Sequence, residues 1–168
     1  MKSVTIVRHA HAEKHDTDVD DFERRLDKRG RREAEEMSEL AHSLGLRPDY
    51  VLSSPAVRAI STAKEFARSL GLPLPKIRHD DRVYLAERTT LAAILRTTPD
   101  SVRHVLLVGH NPGLSRLVAW LSGEDKVGEL PTAAICTLKA DLEHWRDLDA
   151  GLFETVRVRW PEDGGPTR

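Results

Sequence analysis

The chain has 168 residues, the size of one ordinary domain, so a single hydrophobic core with a site at its rim is expected. Apolar residues make up 39% and charged residues 32%, the profile of a globular protein rather than a disordered or membrane-embedded one. The formal net charge is -1 with both signs mixed along the chain, which excludes a global field for nucleic acid, so any anion site must be local.

Met1, Lys2 and Ser3 run straight into Val4–Val7. That apolar run is far too short for a signal peptide or a membrane span, so a cytosolic protein with no membrane partner is expected. Its β-branched residues predict a strand buried on both faces that ends at the polar pair Arg8 and His9. From Asp27 to Leu44, the apolar residues Ala34, Met37, Ala41 and Leu44 recur at helical spacing, and Gly45 supplies a stop. Tyr50 to Leu52 predicts a second strand, after which Ser54 is placed to cap a helix starting at Pro55. Pro73 to Tyr84 reads as loop with one short strand around Ile77. Thr89 or Thr90 is the expected cap of a third helix that must stop before Pro99.

Val105 to Val108 predicts another buried strand, and Asn111 is the expected cap of a helix carrying Leu114, Leu117, Val118 and Leu121 on one stripe. Ala134 to Leu138, and the alternation of Leu152, Glu154, Val156, Val158 and Trp160, predict two final strands free to depart from the direction of the others. Strands alternating with helices argue for a three-layer α/β/α sandwich with a mostly parallel central sheet. One domain is expected over 1–160, with a loose tail over 161–168.

Strand ends and the turns after them deliver Arg8 and His9, then Arg58, then His110. In such sheets the binding crevice lies beyond the strands' carboxyl ends, where helix N-termini present free amides to an anion. An arginine clamps two phosphoryl oxygens at once, and a neutral imidazole can attack phosphorus. Four such residues converging would therefore suit a phosphoryl group.

Arg8 and His9, with Ser53, Ser54, Pro55, Arg58, Thr62 and Ala63, then Gly109, His110, Asn111 and Pro112, resemble the histidine phosphatase superfamily, whose fold is phosphoglycerate mutase-like. The short chain, Arg25 and Leu26 before Gly30, and Leu130, Pro131 and Thr132 before the Ala134 strand are similar to its SixA branch, the phosphohistidine phosphatases. One departure is Ala10, where many members of the superfamily have glycine; alanine is small enough to keep the turn tight. The resemblance implies a metal-free, cofactor-free reaction with His9 as nucleophile, Arg8 and Arg58 on the phosphoryl oxygens, and His110 stabilising the pentacoordinate charge. The phosphate-binding set is then Arg8, His9, Arg58 and His110.

No motif position supplies a general acid. Glu87, ahead of the third helix, is the leading candidate, followed by the acidic run Asp16, Asp18, Asp20 and Asp21. A weak acid suffices for a P–N bond, because imidazole, with a pKa of roughly 6.5, leaves far more readily than an alkoxide. This favours phosphohistidine on a signalling or phosphotransfer protein over small phosphomonoesters or diphosphate metabolites. A non-catalytic phosphoprotein-binding module would be expected to lack His9 or His110, and both are present. His9 and His11 could instead form a metal pair, but the chain is too short for the large barrels that use that spacing, which leaves His11 and His15 as rim residues. His42, His79, His104 and His144 read as surface histidines, and Cys136 as a buried thiol. Nothing in the sequence specifies an oligomeric state.

Overall fold

Six strands form one mixed sheet: β1 (Lys2–Arg8), β2 (Tyr50–Ser53), β3 (Ile77–His79), β4 (His104–Gly109), β5 (Ile135–Ala140) and β6 (Glu154–Arg159). Their order is β3-β2-β4-β1-β5-β6, with the first four mutually parallel and β5 and β6 antiparallel additions at one edge. Four helices, α1 (Lys28–Ser43), α2 (Val57–Ser69), α3 (Arg88–Arg96) and α4 (Gly113–Ser122), cover the two faces. This computed structural model describes residues 1–162 and 164; most of the tail expected over 161–168 lies outside the described residues.

The three-layer expectation holds, and the reason is visible in β4. Val105 and Leu107 join the core under α3 and α4, while Leu106 and Val108 join the core under α1 and α2. A strand with apolar residues at every position can be satisfied only between two helical layers. On the second face, Met37, Ala41, Ala59, Ala63, Phe66 and Ala67 let α1 and α2 approach the sheet closely.

Helix starts differ from expectation, and at Ser54 a tertiary contact engages the expected capping side chain. α2 begins at Val57, with Ala56 rather than Ser54 in the cap position, because Ser54 Oγ accepts the Ala56 amide at 3.2 Å and is also hydrogen-bonded to His110. α3 begins at Arg88 with Glu87 at the cap, so Thr89 and Thr90 fall inside the helix. α4 starts at Gly113 behind Pro112, yet Asn111 Oδ1 still accepts the Ser115 amide at 3.2 Å. Gly113 cannot be replaced locally, since a β-carbon there would lie 2.0 Å from the Ala86 carbonyl oxygen. His104 is half-buried rather than superficial, its Nε2 2.7 Å from Thr5 Oγ1.

Register then positions the site. Arg8 pairs with Gly109 and Ser53 with Val108, so β1, β4 and β2 end side by side. The His9 amide donates to the Gly109 carbonyl at 3.0 Å, and the Ser54 amide to the Val108 carbonyl at 3.0 Å. His9, His110 and Ser54 are neighbours for this reason.

Candidate active site

A cavity of about 360 Å³ opens at these strand ends, and Arg8, His9, Arg58 and His110 all line it. Arg24 contributes a third guanidinium, against which the lining holds one carboxylate, Asp21. The chain is nearly neutral, yet this concavity is locally cationic, the condition a small dianion needs.

His9 sits on the floor, 8% exposed. Its Nδ1 lies 2.8 Å from the Ala10 carbonyl oxygen, which can only accept, so Nδ1 carries the proton and Nε2 bears a lone pair. Arg58 Nε donates to that Nε2 across 3.4 Å. Burial pushes the His9 imidazole down to about 3; the Ala10 hydrogen bond opposes this, and Arg58, Arg8 and Arg24 reinforce it. His9 is thus a neutral imidazole with its orientation fixed by the backbone.

Arg58, only 2% exposed, is steered by Asp21: one guanidinium nitrogen donates to the Asp21 carbonyl at 2.6 Å and another to its carboxylate at 3.0 Å. The same carboxylate accepts from Arg24 at 3.0 Å and from the Tyr84 hydroxyl. Burial works against ionisation of Asp21, but Tyr84, Arg58 and Arg24 overcome it and hold the carboxyl well below the usual carboxylate range. Asp21 therefore aligns cations and is a poor proton donor.

His110 stands 5.1 Å from His9 between ring centroids, with Nε2 2.7 Å from Ser54 Oγ. Burial, then His9 and Arg58, push its imidazole down to about 3, with Asp21 opposing. Arg8 donates to the Leu130 carbonyl at 2.8 Å, and the Asn111 amide donates to the same oxygen at 2.9 Å. Among the described residues, the buried side-chain nitrogens and oxygens without a hydrogen-bond partner are Arg8 Nε and His110 Nδ1. Both belong to residues lining this one cavity.

At the rim, His11 Nδ1 lies 2.5 Å from Asp27 Oδ2, while Asp27 Oδ1 caps α1 by accepting the Gly30 amide at 2.8 Å. Buried Glu33 accepts the His11 amide at 2.9 Å and the Thr132 hydroxyl at 2.8 Å. Leu85, 54% exposed with a left-handed backbone (φ 48°), completes the mouth. Among the described residues, no group of three or more His, Cys, Asp or Glu side chains is arranged to hold a metal.

The structure thus brings Arg8, His9, Arg58 and His110 together and leaves Glu87 out. Glu87 is exposed and does not line the cavity, because it occupies the cap position of α3 without itself capping. Asp16, Asp18 and Asp20 are exposed too, and of the acidic run only Asp21 reaches the site. Arg24, Tyr84 and Asp27 were not anticipated at the site, and His11, expected at the rim, proves to be paired with Asp27; an aspartate directly ahead of a helix is the one signal that could have drawn attention to Asp27.

Comparison with known proteins gives the family and the fold. The model of the histidine phosphatase superfamily (branch 1) matches residues 4–89. An uncharacterized protein of Mycobacterium tuberculosis is 32% identical over 122 residues, which cover 67% of this chain and 73% of that protein. The crystal structure of SixA from Agrobacterium tumefaciens, named as a putative phosphohistidine phosphatase, is 28% identical, with a TM-score of 0.82 covering 95% of this chain and 98% of that one. A structure of the protein histidine phosphatase SixA complexed with tungstate shares the fold at a TM-score of 0.81, 24% identical over 96% of this chain and 98% of that one. This chain belongs to branch 1 of the histidine phosphatase superfamily and is a phosphatase.

Proposed function

We propose that this phosphatase removes the phosphoryl group from phosphohistidine on a protein, through a transient phosphoramidate on His9 Nε2. The observation that carries the reading is the His9 tautomer: with Nδ1–H held by the Ala10 carbonyl, the lone pair on Nε2 belongs to the cavity shared with Arg8, Arg58 and His110. Attack by that lone pair breaks the bond from phosphorus to the departing group, and water later cleaves the His9 adduct to release phosphate. The arginines neutralise the equatorial oxygens, and two buried nitrogens without a side-chain or backbone partner, the donor Arg8 Nε and His110 Nδ1, which donates when the Ser54 hydroxyl donates to Nε2, are available to the charge that builds up in flight. These residues supply nucleophile and charge neutralisation without a metal or cofactor.

The likeness to a protein named as a putative phosphohistidine phosphatase supports the substrate, as does the mouth of the cavity, which is rimmed by exposed Leu85. Such a mouth admits an imidazole projecting from a protein surface. The test compares specificity constants for a phosphohistidine-bearing protein and a panel of sugar, nucleotide and aryl phosphates, all with chelator present. The phosphohistidine protein should be preferred by at least about tenfold, with His9→Ala inactive on every substrate. A small phosphate turned over faster, or full activity in His9→Ala, contradicts the proposal.

A further inference from the structure

We infer that His11, held by Asp27, is the proton donor to the departing group and takes a proton back from the attacking water. The inference rests on the reading of His9 as nucleophile and deepens it.

The other proton-bearing groups lining the cavity are committed elsewhere. His9 attacks; Asp21 is held as an anion by Tyr84, Arg58 and Arg24. The Thr132 hydroxyl donates to Glu33, and His110, bonded through Nε2 to Ser54, has its Nδ1 assigned to the phosphoryl charge. His11 alone among the lining imidazoles has a carboxylate on one nitrogen and, among the described residues, no partner on the other. In its charged form Nδ1–H donates to Asp27 Oδ2, and the Nε2–H is the transferable proton.

Residue 11 is also unusually well held. Its amide donates to Glu33 Oε1 at 2.9 Å, its carbonyl accepts the Asp27 amide at 3.3 Å, and its ring is fixed by Asp27 at 2.5 Å. The carbonyl lies so close to α1 that a β-carbon on Gly30 would stand 1.8 Å from its oxygen. A surface histidine does not need four constraints, whereas a proton donor that must meet one atom does.

Its place at the mouth matches the chemistry of the proposed substrate. A phosphorylated imidazole can leave as a neutral ring only if its second nitrogen, the one facing away from phosphorus, carries a proton; otherwise it must leave as an anion. The donor is therefore needed at the rim rather than on the floor, and the His11 side chain is 36% exposed where His9 is 8% exposed. In the first step, the His9 Nε2 lone pair forms the new P–N bond, the old P–N electron pair goes to the leaving ring, and the His11 Nε2 proton goes to that ring's remote nitrogen. In the second, water attacks phosphorus, the His9–P electron pair returns to Nε2, and a water proton restores His11. Protons and charge balance over the cycle.

The experiment compares N-phosphoryl imidazole with N-phosphoryl-N′-methylimidazolium at pH 8, for wild type, His11→Gln and Asp27→Asn. The methylated ring bears a fixed positive charge and leaves neutral without a proton, so it reports His9 chemistry alone. His11→Gln should lose about 100-fold in kcat/KM, which reports only the step that expels the ring, on phosphoryl imidazole, and stay within about threefold in kcat/KM on the methylated analogue. Asp27→Asn, which keeps an oxygen for the Gly30 amide, should show the same selective loss, about tenfold. Equal losses on both substrates, or none on either, overturn the role of His11. Wild type inactive on both would overturn the phosphatase chemistry at His9 instead.

Discussion

Lowering the pH below about 6.5 should destabilise the folded protein through the two histidines of the site. Both titrate near pH 3 when folded, first because burial removes water from the charged form and then because arginines surround them. In an unfolded chain each returns to about 6.5. Between those values the unfolded state holds up to two more protons than the folded one. Stability therefore falls with falling pH by as much as about 2.7 kcal/mol per unit, and is flat in these groups above about 6.5. Asp21 adds a separate loss at lower pH, since its folded carboxyl titrates below the roughly 3.9 of a free aspartate. Urea unfolding midpoints at pH 7, 6, 5 and 4, for wild type and for His9→Gln with His110→Gln, measure the effect. Between pH 6 and 5 the wild type should lose about 2 kcal/mol more than the double variant. Parallel pH dependences would refute the buried, neutral state of these rings and, with it, the account of why His9 is ready to attack.

Asp21→Ala leaves the nearly inaccessible Arg58 guanidinium without its carboxylate, so thermal unfolding should show a loss of about 3 kcal/mol, with KM for substrate altered as Arg58 and Arg24 lose their alignment. Unchanged stability and KM would mean that Asp21 does not hold these arginines. Gly30→Ala must displace the His11 carbonyl from α1, which should cost about 2–3 kcal/mol by urea titration and lower kcat more than it changes KM. A neutral substitution would show that residue 11 is not packed on the helix. Cys136, fully buried with its thiol pushed up to about 12 by burial, should react with thiol reagents at pH 8 only on the unfolding timescale, read as the rate of colour release.

Much of this architecture could be read from local pattern. The β-branched runs at Val4 and Val105 have no polar face to offer water, and the glycines at 45, 71 and 123 take the left-handed backbone that ends a helix. Once the strands were parallel, Arg8 and His9, Arg58 and His110 had to gather at one end of the sheet, which is why four residues from three separate stretches of sequence were legible as one site. What escaped depends on loop path. Asp21 belongs to an acidic run with the look of a solvated loop, and only the folded course of that segment over Arg58 distinguishes it from Asp16, Asp18 and Asp20. Tyr84 and Arg24 gain their roles from Asp21 and could not be identified before it. Glu87 was attractive as a carboxylate ahead of a helix, but the first turn of α3 leaves it facing solvent. Ser54 was read as a cap because its bond to His110 joins residues 56 positions apart.

The most direct test is to quench the metal-free enzyme during turnover of a phosphorus-labelled substrate and locate the label by peptide mapping. The account predicts an acid-labile, alkali-stable adduct on the peptide carrying His9, absent from His9→Ala. Label on a different residue, or continued turnover in the variant with no adduct at all, would contradict it.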